Sequence, residues 1–255
     1  MYNVLLKIGP VVVHGYGLMI AIGVICALLV ADRRARSRGL NADFVFSMGM
    51  VAIVAGFAGA KLLYCIIEYK AFLSNPWNTL ASGGFVVYGG LICGVLAAMQ
   101  MCRSKKASFL QYFDLTAPSI ALAQGFGRIG CFLAGCCYGR ETNSFLGVVF
   151  PHSAIAPSGV HLLPTQLFSS AGDFAIAAIL LLYARKDHRA GKVGALYLVL
   201  YSVGRFTIEF FRSDARGAVG ALSTSQFISI FTLALGLALF LMEKYPWKKP
   251  QPEVG

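Results

Sequence analysis

The chain has 255 residues, of which 57% are hydrophobic and 13% are charged, and its mean hydropathy is +0.69. An average soluble domain is about half apolar and about a quarter charged, so this composition excludes a disordered chain, a coiled coil and most soluble enzymes. The formal net charge of +11 fits either nucleic-acid binding or the charge bias that orients a membrane protein. The positions of the basic residues distinguish these two explanations.

Seven apolar segments are predicted as transmembrane helices, because a helix needs about 20 mostly apolar residues to cross a bilayer. The first resembles the apolar part of a signal peptide, but its basic run follows the apolar stretch and no small-residue cleavage site is evident. We therefore predict an all-α, polytopic membrane protein with a single integral-membrane domain over residues 1–255. In chain order the segments are 16–31, 44–67, 84–102, 109–132, 165–184, 194–211 and 223–242.

The basic residues form four short clusters, one after each of the first, third, fifth and seventh segments. All four clusters therefore fall on one side of the membrane, and the positive-inside rule assigns that side to the cytoplasm. This predicts an N-terminus outside and a cytoplasmic C-terminus. Because the clusters are short and separate, we expect no nucleic-acid partner. They are Arg33, Arg34, Arg36 and Arg38; Arg103, Lys105 and Lys106; Arg185, Lys186, Arg189 and Lys192; and Lys244, Lys248 and Lys249.

Three of the seven cysteines, Cys131, Cys136 and Cys137, lie close together in the sequence. A structural disulfide does not suit the adjacent pair, although a bond between Cys131 and Cys136 is geometrically possible. Metal binding would want histidine or carboxylate partners at ligand spacing, and none is nearby in sequence. We expect no metal and no cofactor, and interpret the cluster as packing beside a lipid pocket; metal binding and a redox role are the alternatives.

Four ionisable residues stand out inside the predicted transmembrane segments, where a charge is costly and usually functional. Arg205 and Glu209 share a helix face and can pair, and Arg128 lies in the glycine-rich stretch 125–130. An arginine in an apolar cavity fits a phosphate, which in a membrane is a lipid head group. The alternative is an Arg128–Glu209 or Arg205–Glu209 ion pair that only ties helices together. With Lys61 the cations exceed the acid, which favours an anionic ligand.

Residues 127–140 read Gly-Arg-Ile-Gly-Cys-Phe-Leu-Ala-Gly-Cys-Cys-Tyr-Gly-Arg. This stretch resembles the signature of the bacterial prolipoprotein diacylglyceryl transferase family, roughly Gly-Arg-x-Gly-Asn-Phe-x-Asn-Gly-Glu-x-x-Gly. Other stretches match family motifs in the family's order, so the resemblance covers nearly the whole chain. They are residues 14–19, 59–64 and 89–92, Asp114 with Pro118, and residues 164–167 and 201–212.

The resemblance implies a transferase at the outer face of the bacterial cytoplasmic membrane, with the same seven-helix, N-out topology. It would transfer the diacylglyceryl group of phosphatidylglycerol to the lipobox cysteine thiol in the signal peptide of a prolipoprotein, releasing glycerol phosphate. Cations must stabilise the charge that grows on the phosphate, and the thiol must become a thiolate. The site residues implied are Arg128, Arg205 and Tyr88 as catalytic, and Tyr16, Lys61, Gly139, Glu209, Asp114 and Gln166 as substrate-binding.

The chain departs from the family pattern at several polar positions. Cys131, Ala134 and Cys136 replace the two Asn and the Glu of the signature, and residues 163–169 lack the family's His, Tyr and Glu. Tyr88 stands where many members have a His, and a tyrosine is a poor base at neutral pH unless cations act on it. Two alternatives therefore stay open: a lipid-dependent transferase with a different acceptor, and a non-catalytic phospholipid-binding membrane protein.

Overall fold

The computed structural model describes residues 4–8, 11–151, 153, 155–214 and 217–242. The predicted basic cluster at Lys244, Lys248 and Lys249 lies outside these residues. The helices are α1 Gly15–Ser37, α2 Ala42–Ile67, α3 Tyr69–Ser74, α4 Pro76–Ala81, α5 Val87–Ser104, α6 Phe109–Ala134, α7 Thr165–Tyr183, α8 Lys192–Glu209 and α9 Thr224–Leu241. The strands are β1 Val4–Ile8, β2 Val11–His14, β3 Ala218–Val219 and β4 Leu222–Ser223.

A long helix coincides with each of the seven segments predicted from the sequence, namely α1, α2 and α5 to α9. Five of them, α1, α2, α5, α7 and α9, are long and apolar enough to cross a membrane. The outer face of α2 is also apolar, since Val54, Phe57 and Leu62 are 65%, 60% and 61% exposed. A contiguous apolar surface of this kind is typical of contact with lipid. The fold is that of a multi-pass helical membrane protein.

The helices α6 and α8 have 26 and 18 residues but are not among the five spans. Both carry ionisable residues, Asp114 and Arg128 in α6 and Lys192, Arg205 and Glu209 in α8. Charged side chains lower the mean hydropathy of a helix. The two helices that are not among the five spans carry four of the nine predicted site residues, Asp114, Arg128, Arg205 and Glu209.

Two short β-hairpins interrupt the helical architecture, and the all-α prediction did not include them. In the first, β1 and β2 pair antiparallel with Ile8 opposite Val11. In the second, β3 and β4 pair with Val219 opposite Leu222, and Gly220 in the turn has φ +61°. Strands of two to five residues are too short to produce a distinct hydropathy pattern beside 20-residue helices.

The chain divides into two compact units, Met1–Val30 with Phe113–Gly255, and Ala31–Tyr112. Both boundaries fall inside helices, in α1 and in α6, so no linker marks them. In the unit Ala31–Tyr112, α2 and α5 pack backbone to backbone. A Cβ added at Gly59 would lie 2.6 Å from the carbonyl oxygen of Gly89, the small-residue packing typical of membrane helices. The single domain stays a prediction.

In the other unit, α6, α7 and α8 share a core that includes Ala121, Leu180 and Tyr197. Asp114 of α6 is buried and joins this core to the start of α8. Its carboxylate accepts hydrogen bonds from the backbone N–H groups of Gly191, at 2.6 Å, and Gly194, at 2.7 Å. The first N–H groups of a helix lack partners inside the helix, and an acid there also interacts favourably with the helix dipole. The contacts of Asp114 thus orient α8.

Replacing Asp114 tests this orienting role. We expect Asp114→Ala to lower the free energy of unfolding by about 3 kcal/mol, because buried N–H groups lose a charged acceptor. Asp114→Asn keeps one acceptor oxygen and should lose less. The measurement is the Tm of the purified protein in detergent. Equal Tm values for wild type and Asp114→Ala would contradict this role.

Candidate active site

The helices α6, α7 and α8 line a cavity of about 260 Å³. Arg128 of α6 and Arg205 of α8 both line it, so the structure brings together the two arginines that the sequence singled out. Apolar side chains supply much of the rest of the wall, including Phe168, Ile176 and Ile208. A cavity of this volume has room for several water molecules. It suits a polar head group, and the acyl chains of a phospholipid would have to lie outside it.

Arg128 lies in the wall of this cavity. Its guanidinium forms no hydrogen bond and no ion pair with any residue in the described ranges. It interacts electrostatically with Asp173 and with the cysteines Cys131 and Cys137. A guanidinium carries five N–H donors in a fixed fork, and a charged group taken out of water without a partner is costly. Arg128 is therefore available to an anion that enters the cavity.

Arg205, in contrast, belongs to a network of ion pairs. It lies 3.2 Å from the Glu209 carboxylate and donates to Ser225 Oγ at 2.7 Å. Glu209, whose side chain is 1% exposed, also lies 3.4 Å from Arg212, which in turn binds both oxygens of Asp214 at 2.9 and 2.6 Å. The predicted Arg205–Glu209 pair is thus present. The alternative Arg128–Glu209 pair is not formed between these described residues.

The structure revises the charge balance expected from the sequence. Among the described residues of the unit that holds α6 to α8, Arg212, Asp173 and Asp214 join Arg128, Arg205 and Glu209, so the buried arginines do not outnumber the carboxylates. An excess of cations is therefore not the argument for an anionic ligand. The distribution is the argument, because Glu209 and Asp214 are bound by Arg205 and Arg212, whereas Arg128 has no such partner among the described residues.

Asp173 of α7 is a site residue that the sequence reasoning missed. It lines the cavity, is 5% exposed, and its Oδ2 has no hydrogen-bond partner in the described part of the chain. Tyr201 lines the same wall. Asp173 lies inside the predicted segment 165–184, so the rule that singled out the other ionisable residues applied to it as well.

The comparisons with known proteins point the same way as the cavity. A family model described as prolipoprotein diacylglyceryl transferase matches residues 3–242. The chain belongs to the prolipoprotein diacylglyceryl transferase family. The phosphatidylglycerol–prolipoprotein diacylglyceryl transferase of Clostridium tetani is 47% identical over 246 residues, which cover 96% of this chain and 99% of that protein. The second such enzyme of Clostridium perfringens is 46% identical over 243 residues, covering 94% and 95%. The family predicted from the sequence motifs is confirmed.

Three residues that the family resemblance predicts lie beside the turn after α6. Gln166 Nε2 donates to the carbonyl oxygen of Cys136 at 2.7 Å. Gly139 is packed so closely that a Cβ there would lie 2.7 Å from the carbonyl oxygen of Leu163. Tyr16, in the first turn of α1, is 43% exposed and interacts electrostatically with Arg128 and the three cysteines. None of the three lines the cavity. Their contacts lie around the turn that follows α6.

The remaining predicted site residues, Lys61 and Tyr88, belong to the unit Ala31–Tyr112. Lys61 Nζ donates to Ser82 O at 2.7 Å, to Ser82 Oγ at 3.3 Å and to Gly84 O at 3.2 Å. An ammonium has three donors, so these local contacts engage all of them. Tyr88 lies in the first turn of α5 and is partly buried. The substrate role of both residues stays a prediction.

The Arg205–Glu209 network makes a clear stability prediction. We expect Glu209→Ala to cost about 3–5 kcal/mol, because it leaves two buried guanidinium groups without their shared carboxylate. The control is Asp32→Ala, which removes the exposed Arg36–Asp32 pair, whose side chains are 68% and 36% exposed. Because a solvent-exposed ion pair contributes little to stability, this variant should keep nearly the wild-type Tm. The stability of each variant is measured as its Tm in detergent. Similar small losses for the two variants would contradict a buried network.

Proposed function

We propose that this protein transfers the diacylglyceryl group of phosphatidylglycerol to the lipobox cysteine thiol of prolipoproteins and releases glycerol phosphate. Family membership supports the proposal, because the relatives are named for this donor and this acceptor. One structural observation carries it: Arg128 lines a head-group-sized cavity together with Arg205 and has no ion-pair partner in the described ranges. The lipid phosphodiester is the anion that fits both the chemistry and the location.

Arg128 and Arg205 would act on the leaving group. The sulfur attacks the glyceryl carbon, a C–S bond forms, and the C–O bond to the phosphate breaks with its electron pair. Negative charge therefore grows on the phosphate, and preorganised cations in a water-poor cavity stabilise it strongly. Arg128 offers the bidentate fork that matches two phosphate oxygens. Glu209 holds Arg205 by an ion pair of 3.2 Å and so fixes the second cation.

Asp173 would bind the glycerol of the head group. Phosphatidylglycerol carries two head-group hydroxyls, each a hydrogen-bond donor, and the buried Oδ2 of Asp173 is an acceptor without a described partner in the same cavity. A hydrogen bond from a hydroxyl to a carboxylate is strong in such surroundings. The pairing of a phosphate-binding arginine with a hydroxyl-binding carboxylate accounts for selection of this lipid head group.

We further propose that α6 and α8 also cross the membrane, which gives seven spans with the N-terminus outside. Their ionisable residues line the cavity or form ion pairs, and polar residues that face the interior of a bundle are compatible with a transmembrane helix. The described basic clusters lie at the C-terminal ends of α1 and α5 and between α7 and the start of α8, and all fall on the cytoplasmic side in this arrangement. The cavity lies toward the C-terminal ends of α6 and α8, and in this arrangement those ends are on the side opposite the basic clusters. The active site therefore opens toward the outer face.

The main test replaces Arg128. We expect Arg128→Ala to lower the rate of transfer about 10²–10³-fold, the effect of removing one group that stabilises transition-state charge. The assay uses purified protein in micelles that contain phosphatidylglycerol and a synthetic lipobox peptide, and it follows both the lipidated peptide and glycerol phosphate. Arg36→Ala is the matched control and should keep the wild-type rate.

The same assay separates the alternatives. Transfer by Arg128→Ala at the wild-type rate would rule out the phosphate role. Release of glycerol phosphate without lipidated peptide would indicate a different acceptor. Lipid binding without either product in the wild type would indicate a non-catalytic phospholipid-binding protein.

A second test concerns the head-group glycerol. We expect Asp173→Asn to raise KM for phosphatidylglycerol about tenfold or more, because a hydrogen bond to a charged group is worth roughly 1.5–3 kcal/mol. With phosphatidylmethanol, which has the phosphodiester but no hydroxyls, the variant and the wild type should behave alike. An equal loss on both lipids would show that Asp173 supports the arginines instead.

A further inference from the structure

The thiols of Cys131, Cys136 and Cys137 converge in space. Their sulfur atoms all lie within 4.8 Å of one another, and all three residues are partly buried free cysteines. Tetrahedral zinc binds thiolates at about 2.3 Å, which sets neighbouring sulfurs about 3.8 Å apart. The three sulfurs therefore need only small side-chain adjustments to share one metal ion.

The end of α6 explains why the thiols meet. Gly135 has φ +70°, and the N–H groups of Gly135 and Cys136 donate to the carbonyl oxygens of Phe132 and Cys131 at 3.2 and 3.1 Å. This is the Schellman arrangement, which brings the residue two positions past the helix end against the residue in its last turn. Here those two residues are Cys136 and Cys131. Cys137, which has a φ of +59°, adds the third sulfur.

Two buried side chains in the first turn of α7 hold this turn in place. Gln166 Nε2 donates to Cys136 O at 2.7 Å, and Thr165 Oγ1 donates to Cys137 O at 2.8 Å. Both donors are 1% exposed. Ligands that are fixed by such outer contacts bind a metal more tightly than ligands on a mobile loop. The turn is thus a preorganised set of three soft ligands.

The charges around the turn suit a metal thiolate. Cys137 interacts electrostatically with Arg128 and Arg212, and Cys131 with Arg128. Three thiolates and one divalent cation carry a net charge of −1, which the guanidinium groups balance. The sequence alone favoured no metal because no histidine or carboxylate lies nearby. In the structure, however, the turn brings three thiols close to one another. Thiolates are ligands that select thiophilic metals.

We propose that Cys131, Cys136 and Cys137 form a three-thiolate site for Zn²⁺ whose fourth position binds the acceptor thiol. This inference rests on the proposed function. A catalytic zinc keeps one position open, and a coordinated thiol loses its proton, which passes to solvent. The bound sulfur then forms the C–S bond as the C–O bond to phosphate breaks, and the thioether product, a weaker ligand, departs. The metal does not change its oxidation state.

The test uses the full chain, purified in detergent with a reductant that does not bind metal. We expect about one Zn²⁺ per chain, and on substitution by Co²⁺ a thiolate-to-cobalt charge-transfer band that Zn²⁺ abolishes. Cys131→Ser, Cys136→Ser and Cys137→Ser should each weaken Co²⁺ binding roughly tenfold or more. Cys26→Ser, at a free cysteine of α1, is the matched control and should bind like the wild type.

Three outcomes would overturn the proposal. The absence of the cobalt band in fully reduced protein would exclude the site, and so would a Cys131–Cys136 disulfide found by mass spectrometry in the protein as isolated. If Zn²⁺ binds but its removal by a chelator leaves transfer unchanged, the thiol-binding role is wrong. Loss of transfer on chelation and its recovery with Zn²⁺ support the role.

The arginine variants keep this test separate from the proposed function. Arg128→Lys should retain the cobalt band while it loses transfer. A wild type that binds Zn²⁺ and transfers nothing to any lipobox peptide would contradict the proposed function and the thiol-binding role together, but not the metal site.

Discussion

A guanidinium among apolar helices needs a negative partner, and this requirement organises the candidate site. The protein meets it inside the chain for Arg205 and Arg212, whose charges Glu209 and Asp214 bind directly. It does not meet it for Arg128 within the described ranges. Under the proposed function, holding one arginine in a stable network while leaving the next available lets a substrate phosphate bind without first breaking an internal pair. Breaking such a pair would subtract the cost of an unpaired buried charge from the binding energy.

The same requirement explains why hydropathy singles out five helices and not seven. Under the proposed function, the polar groups that serve the substrate must lie on helices, because irregular backbone is costly in lipid. They concentrate on α6 and α8, where Asp114, Arg128, Arg205 and Glu209 lie. The neighbouring α7 contributes Asp173 to the cavity and still remains apolar enough to span. The polar residues of the candidate site therefore lower the mean hydropathy of the same segments from which a membrane span is predicted.

The sequence predicted the positions of all seven long helices, because 20-residue apolar runs and alternating basic clusters are strong, local signals. It also singled out Arg128, Arg205 and Glu209, since a charge within such a run is rare. It did not select Asp173, although the same reasoning covers it, because no matched motif contained it. The sequence allowed Cys131 and Cys136 to approach each other, but the convergence of all three thiols could not be predicted, since it depends on a left-handed glycine in a helix-ending turn. The partners of Asp114 depend on tertiary packing in the same way.

The substitutions that separate this chain from the family signature are chemically coherent. Replacing an Asn and a Glu with Cys131 and Cys136 exchanges hard oxygen ligands, which suit hydroxyls and ammonium groups, for soft sulfur, which suits thiophilic metals. The phosphate side of the site keeps its arginine at Arg128. The reaction joins a sulfur nucleophile to a phosphate leaving group, and the two have different requirements. Under the proposed function, a chain that keeps Arg128 and changes the ligands beside it would differ from the family in how it handles the nucleophile. Tyr88, which stands where many members have a His, is predicted to serve that same half of the reaction.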